Sequence, residues 1–219
     1  ESSPGHHRGL ADRIWHMAII LHEDDLSTGV SFGDTVAIDT ETMGLNPHRD
    51  RLCLVQLSAG DGDSHLVQFD AGKHTAPRLT ALMKDADIVK IFHYGRFDIA
   101  MLRYYLGVLA GPVYCTKIAS MLARTYTDHH GLRDLCKDLL GIDISKQQQS
   151  SDWGAKELTK DQLEYAANDV LHLHLLRETL DDMLAREHRS HLATAAFAFL
   201  PIRAELDLAG WGGLDLFAH

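Results

Sequence analysis

A chain of 219 residues suits one domain with a full core, or one domain and a short appendage, and 45% hydrophobic with 24% charged residues is ordinary for a globular protein. No stretch approaches the ~18 consecutive apolar residues of a membrane span, and no basic-then-apolar leader opens the chain, so neither a membrane protein nor a secreted one is expected. Acidic residues outnumber basic ones by 31 to 21, a formal charge of −10, which argues against gripping long nucleic acid through many phosphate contacts but suits an enzyme that gathers carboxylates around a cation.

Residues 1–16 show no clear periodicity and precede Met17; they read as expression-derived or upstream sequence outside the fold. From Thr35 the chain reads as strands: TVAID (35–39), RLCLVQLS (51–58) and HLVQF (65–69), the last two separated by the turn-prone Gly60-Asp61-Gly62-Asp63. A helical stretch over 75–85 leads to the apolar run DIVKIF (87–92), and a helix follows from about Phe97 to Leu106. Gly111-Pro112 breaks the chain before a short extended VYC (113–115). Helices are then expected over 116–125, 131–140, about 160–188, 191–199 and 202–208. Thr159 with Gln162 forms a capping box at the start of the long helix. Strands first, then strand–helix alternation, then helices predict an α/β protein whose mixed central sheet carries helices on its faces. Cys53, Cys115 and Cys136 are odd in number and form no C-x-x-C pair; buried thiols in a reducing cytoplasm are the simplest reading.

Asp39-Thr40-Glu41 ends the first apolar strand. Positions i and i+2 of a strand share a face, so both carboxylates point one way and Thr40 the other. Two convergent carboxylates before Gly44 look like a hard-cation site; the bland alternative is a pair of solvated turn residues. Tyr165 and Asp169 share one face of the long helix, amid Leu163, Ala166, Ala167, Val170 and Leu173. A carboxylate beside that apolar face is costly unless paired or metal-bound, although an edge-of-core Tyr and an exposed Asp would also fit. Asp98 opens the helix after DIVKIF; it is either a dipole partner or a third carboxylate brought to the first strand.

Together these signals resemble the tyrosine-containing branch of the DEDD superfamily of 3′→5′ exonucleases. Its motifs occur in order as Asp39/Glu41, Phe97/Asp98 and Tyr165/Asp169, between about Thr35 and Leu180. Within that branch Ser151-Asp152-Trp153 looks like ribonuclease D. DTETMGLNPHRDRLC, KIFHYGRFD, RTYTDHHGL, ISKQQQSSDW and FLPIRAELDLAGW further resemble the nanoRNase C group, compact oligoribonuclease-like enzymes of alphaproteobacteria. Two departures stand out. The position four before Asp98, often Asn in the superfamily, is Tyr94, and the chain leaves no room for the helical nucleic-acid-binding domains of ribonuclease D proper.

The resemblance implies a ribonuclease H-like exonuclease fold over 17–190 and a helical C-terminal tail over 191–219 that serves as a subunit contact. It implies that Asp39, Glu41, Asp98 and Asp169 hold two ions, Mg²⁺ or Mn²⁺ as oxygen-only ligands favour, with Asp39 bridging both. Tyr165 would orient the attacking water, since a phenol titrating near ~10 is a poor base. The substrate would be short single-stranded RNA, down to dinucleotides, with DNA as a further option, cut to nucleoside 5′-monophosphates in the cytoplasm. Leu45 could wedge between the last two bases while Met43 and Phe97 pack against them, with core packing an equal contender for all three. Thr40, Thr42, Gly44, His93, Lys146, Gln149, Ser151 and Trp153 complete the candidate substrate contacts. Arg124 and Arg133 could face phosphates or be surface charge. The fifteen histidines form no H-E-x-x-H motif, and His129, His130, His172 and His174 read as solvated or structural. The apolar stretch 195–217 and the resemblance both point to a homo-oligomer, a ring of eight on the resemblance. The competing functions are a ribonuclease D-like exonuclease trimming longer RNA or DNA, and a catalytically dead nucleotide-binding regulator, against which the intact motif residues argue.

Overall fold

Leu52–Ser58 is buried at every position, which a strand achieves only when strands flank it and both sheet faces are covered. The computed structural model of the chain describes residues 18–145, 147–148 and 150–218, and this segment, β3, is central to its six-stranded sheet. The other strands are β1 (Ile19–Glu23), β2 (Thr35–Thr42), β4 (Ser64–Gln68), β5 (Val89–Phe92) and β6 (Val113–Cys115), in the order β1-β4-β3-β2-β5-β6. β2, β3 and β4 pair antiparallel, whereas β1 joins β4, β5 joins β2 and β6 joins β5 in parallel. The sheet is thus mixed, as the sequence pattern predicts.

The helices are α1 (Pro77–Lys84), α2 (Arg96–Leu106), α3 (Thr116–Ala123), α4 (Leu132–Leu135, running on into a wider turn through Leu140), α5 (Lys160–Leu171), α6 (Leu173–Arg186) and α7 (Ser190–Leu206). Ala166 of α5 packs with Cys53, Leu54, Leu66 and Trp153. Val170 of α5 and the buried apolar residues of α1–α3, α6 and α7 share the larger core with Val36, Val55, Leu57 and Ile91. Lys90 is fully buried in β5, where its ammonium donates to the carbonyls of Gly111, at 2.8 Å, and Asp85. It thereby ties the strand to the turn containing the cis Gly111-Pro112 bond.

Three expectations need correction. β1 was not foreseen: its only fully buried side chain is His22, and it is a strand because residues 19–23 find 64–68 to pair with. The helix expected over 160–188 is two helices that break at His172 (φ −101°, ψ −5°). The break serves two packing surfaces, since α5 lies on β1–β4 and α6 packs on α3 through Leu173, Leu176, Leu180 and Leu184. Conversely, the helices expected over 191–199 and 202–208 are one, running through Pro201. An interior proline costs a hydrogen bond and strains the preceding turn; Phe197 and Leu200 before it and Ala204 after it, all buried, hold the two halves in line. Residues 1–16 lie outside the described residues. No described helix is long and apolar enough to cross a membrane.

Candidate active site

In the β2–β3 register Asp39 sits opposite Gln56 and Glu41 opposite Leu54, so both carboxylates face α5 across the sheet. The capping box of Thr159 and Gln162 starts α5, and Gln162 Nε2 also donates to the Asp152 carbonyl at 3.0 Å, fixing the preceding loop. From α5, Tyr165 and Asp169 meet the strand pair. Asp39, Glu41 and Asp169 each offer a carboxylate oxygen within 4.8 Å of the others, the one such cluster among the described residues.

Asp98 comes from the opposite face of β2. Thr40 points away from its neighbours, as strand periodicity requires, and its hydroxyl donates to Asp98 Oδ1 at 2.6 Å in the first turn of α2. The tight entry to α2 needs Gly95, because a Cβ there would lie 2.6 Å from that of Phe92. Asp98 is not one of the three most tightly converged carboxylates, but it lines the same cleft and its charge is felt by all three.

Burial raises every member of the group. Asp39 stands well above the usual carboxylate range, first through burial and then through Asp98, Asp169 and Glu41. Glu41 is pushed to about 9 by burial, then by Asp169 and Asp98. Asp169 is raised to about 7 by burial and then Asp98; Asp98 reaches about 7 because burial outweighs the bond from Thr40. Like charges this close, away from water, resist simultaneous ionisation unless a cation lies among them. An all-oxygen donor set of this kind fits a hard divalent ion. The Tyr165 phenol is likewise pushed up, by burial and then by Asp169, Glu41 and Asp39, so it keeps its proton at neutral pH.

The group lies in a cleft of about 690 Å³. Thr40, Thr42, Met43, Gly44, Leu45, His93, Phe97, Ser151 and Trp153 all line it, together with Tyr94, Lys117 and Arg133. Leu45 is 84% exposed at the mouth and Met43 51%. Several of the expected substrate contacts already have partners within the protein. Besides Thr40, the Thr42 hydroxyl donates to the Gly44 carbonyl at 2.6 Å and the Ser151 hydroxyl to the Gln148 carbonyl at 2.6 Å. His93 Nδ1 meets Thr116 Oγ1 at 2.9 Å, and burial with Lys117 nearby lowers its pKa to about 3, leaving the ring neutral. Trp153 is buried, 6.0 Å from the Tyr165 ring centre, so it backs the tyrosine. Lys146 and Gln149 lie outside the described residues. Arg124 faces no phosphate site: it is buried, donating to Asp138 at 2.5 Å and to the His129 carbonyl at 3.1 Å. His130 is bonded to Ser120 Oγ at 2.8 Å.

Sequence reasoning missed Gln56 and Lys117. Gln56 is fully buried in β3 and its amide approaches Asp39 Oδ2 at 3.4 Å, while its Oε1 has no partner among the described residues. A polar residue amid the apolar run LCLVQLS was the available signal. Lys117 rests its ammonium 4.3 Å from the Tyr94 ring centre, a contact that no sequence spacing announces.

The raised carboxylates give a stability prediction. Each binds a proton more tightly in the folded chain than near its ordinary value of ~4, so folding loses stability as pH rises from about 4 through the folded values of about 7 to 9. In EDTA at pH 8, Asp39→Asn should melt about 3–6 °C above the parent, corresponding to a gain of roughly 1–2 kcal/mol, and the gap should close toward pH 4. Mg²⁺ should raise the Tm of the parent more than that of the variant. Melting curves at pH 4, 6 and 8 check this; a gap independent of pH would contradict the repulsion.

Comparison with known proteins agrees with this geometry. A 3′-5′ exonuclease family model (DNA_pol_A_exo1) matches residues 19–185. Ribonuclease D of Gluconacetobacter diazotrophicus is 35% identical over 165 residues, 75% of this chain and 42% of that protein; the chain thus spans about two-fifths of the length of such curated relatives. The structure of Brucella melitensis NrnC with bound Mg²⁺ superposes with a TM-score of 0.89 at 54% identity, covering 92% of this chain and 99% of that one. NrnC bound to pGG gives 0.90 at 55%, covering 93% and 99%. The chain therefore belongs to the 3′-5′ exonuclease family, similar in sequence to ribonuclease D and in structure to NrnC of Brucella melitensis.

Proposed function

We propose that the chain removes nucleotides from the 3′ end of short single-stranded RNA in the cytoplasm, down to dinucleotides, releasing nucleoside 5′-monophosphates. The observation that carries this is the convergence of Asp39, Glu41 and Asp169 within 4.8 Å, beside Asp98, in one cleft. Asp39, Glu41, Asp98 and Asp169 would hold two divalent cations, Mg²⁺ or Mn²⁺. Cations bound there supply Lewis-acid activation of the attacking water and neutralise charge on the departing 3′ oxygen. Gln56 and Thr40 hold Asp39 and Asp98 in place by hydrogen bonds. Tyr165, protonated at neutral pH, orients the water through its hydroxyl and does not act as the base. Leu45 and Met43 at the mouth and Phe97 within receive the last two bases. DNA ends are a possible second substrate of the same cleft.

The preference for short strands rests on charge and shape. Among the described residues only Lys117 and Arg133 bring formal positive charge to the cleft, and Arg133 is already paired with Asp143 at 3.1 Å. Affinity must then come from the cation site, the terminal hydroxyl and base stacking, all at the last two nucleotides. The pGG bound by NrnC supports this scale of substrate. kcat/KM should be highest on RNA of two to about five nucleotides and vary only weakly with salt, each phosphate contact adding roughly 0.7 to the log–log slope. A series at two, five, ten and twenty nucleotides, at two salt concentrations, tests it. A rate that climbs with length on a steep salt slope would favour a longer-strand exonuclease.

Tyr165→Phe should slow the single-turnover rate roughly a hundredfold with Mg²⁺ affinity nearly unchanged; an unchanged rate would assign Tyr165 to packing. We also propose a homo-oligomer, a ring of eight as the resemblance implies. Leu192, Phe199 and Ile202 on α7 and Met121 on α3 leave apolar surface exposed, and an apolar groove of about 420 Å³ runs between the two helices. Light scattering should give a multiple of 24.4 kDa; a monomer at micromolar concentration refutes the assembly.

A further inference from the structure

Two walls frame the mouth of the cleft: the turn after β2, bearing Met43, Gly44 and Leu45, and the loop with Ser150, Ser151 and Trp153. They meet at one point. A Cβ on Gly154 would overlap Met43 Sδ and come within 3.2 Å of Met43 Cε and of the Arg51 guanidinium. Gly154 is not among the glycines at positive φ, so the position requires the space of a glycine and not its conformational freedom. Arg51 links both walls, since its carbonyl accepts from Met43 N at 3.0 Å while its guanidinium donates to Gly154 O at 3.0 Å and Phe69 O at 3.3 Å.

We propose that Gly154 and Arg51 are positioning residues that seat the Met43 side chain, and with it the Met43-Gly44-Leu45 turn, for binding the 3′-terminal bases of the substrate. This rests on the reading of the cleft as the seat of an RNA 3′ end. The two partners of the contact differ in freedom. The 152–155 loop is fixed from several sides: Gln162 Nε2 donates to the Asp152 carbonyl and Gln68 Nε2 to the Ala155 carbonyl, each at 3.0 Å, and Asp152 Oδ1 accepts from Gly154 N at 3.0 Å. Met43, by contrast, is a flexible thioether, 51% exposed. A methyl group added at Gly154 therefore displaces Met43 and leaves the loop in place. The fold absorbs that shift cheaply. Substrate seating does not, because the side chain's open directions lead into the cleft and solvent.

The test measures kcat and KM on a 5′-phosphorylated RNA dinucleotide with Mg²⁺ for the parent, Gly154→Ala, Met43→Ala and the double variant. Gly154→Ala should raise KM roughly tenfold, within the range expected for misplaced binding groups, with kcat changed less than about twofold. A loss of folded enzyme would instead lower kcat at constant KM. Removing the displaced side chain should cancel the effect, so the double variant should match Met43→Ala alone. Multiplying defects in the double variant, or an unchanged KM in Gly154→Ala, overturns the proposal; a parent inactive on RNA overturns the functional reading beneath it. If Gly154→Ala does not fold, Arg51→Lys replaces it. A single ammonium cannot reproduce the guanidinium fork, so KM should again rise, and an unchanged KM overturns the assignment.

Discussion

Asp39, Glu41, Asp98 and Asp169 share one cleft, and their mutual repulsion is the constraint around which the structure is organised. Left to themselves such groups would separate or take up protons. The fold keeps them together by delivering them from three rigid elements: Asp39 and Glu41 from the end of a central strand, Asp98 from the first turn of α2 and Asp169 from the last turn of α5. A strand buried on both faces backs them, and neutral donors such as the hydroxyl of Thr40 and the amide of Gln56 hold individual carboxylates in place. Because no arginine or lysine of the described residues is bonded to any of the four, the compensating charge is left for a cation to supply.

The same constraint reconciles an acidic protein with a polyanionic substrate. A basic groove would attract phosphates along their whole length, whereas this cleft gathers four carboxylates at one point and, among the described residues, only Lys117 and Arg133 as bases. Met43, Leu45 and Phe97 around that point are apolar and suited to flat bases. On the proposed reading, selectivity for a chain end follows from where the binding groups are concentrated.

Sheet and site differ in how far the sequence discloses them. β2, β3 and β4 are visible as apolar runs because burial on both faces leaves a dense local signature. β1 is not, for its pairing partner lies 45 positions onward, from Ile19 to Ser64. Asp39 and Glu41 are legible from the period of a strand and Tyr165 with Asp169 from that of a helix, but their meeting depends on where α5 docks. Gln56 acquires its role only through register with Asp39, and Lys117 only through the approach of α3 to Tyr94. The break at His172 escaped because no glycine or proline marks it; it falls where packing on the sheet gives way to packing on α3. Pro201 misled in the opposite sense, its local cost being outweighed by burial on either side.

The chain order of the site carries a consequence for biosynthesis. β2 and α2 emerge from the ribosome early, but α5, with Asp169, is made only after the whole sheet. Until α5 docks across β1–β4 the remaining carboxylates lack their fourth companion and the cleft lacks a wall. A nascent chain is thus unable to assemble the cleft until the end of α5 has been made and has docked. The order of strands and helices therefore ties the gathering of the four carboxylates to completion of the sheet that carries them.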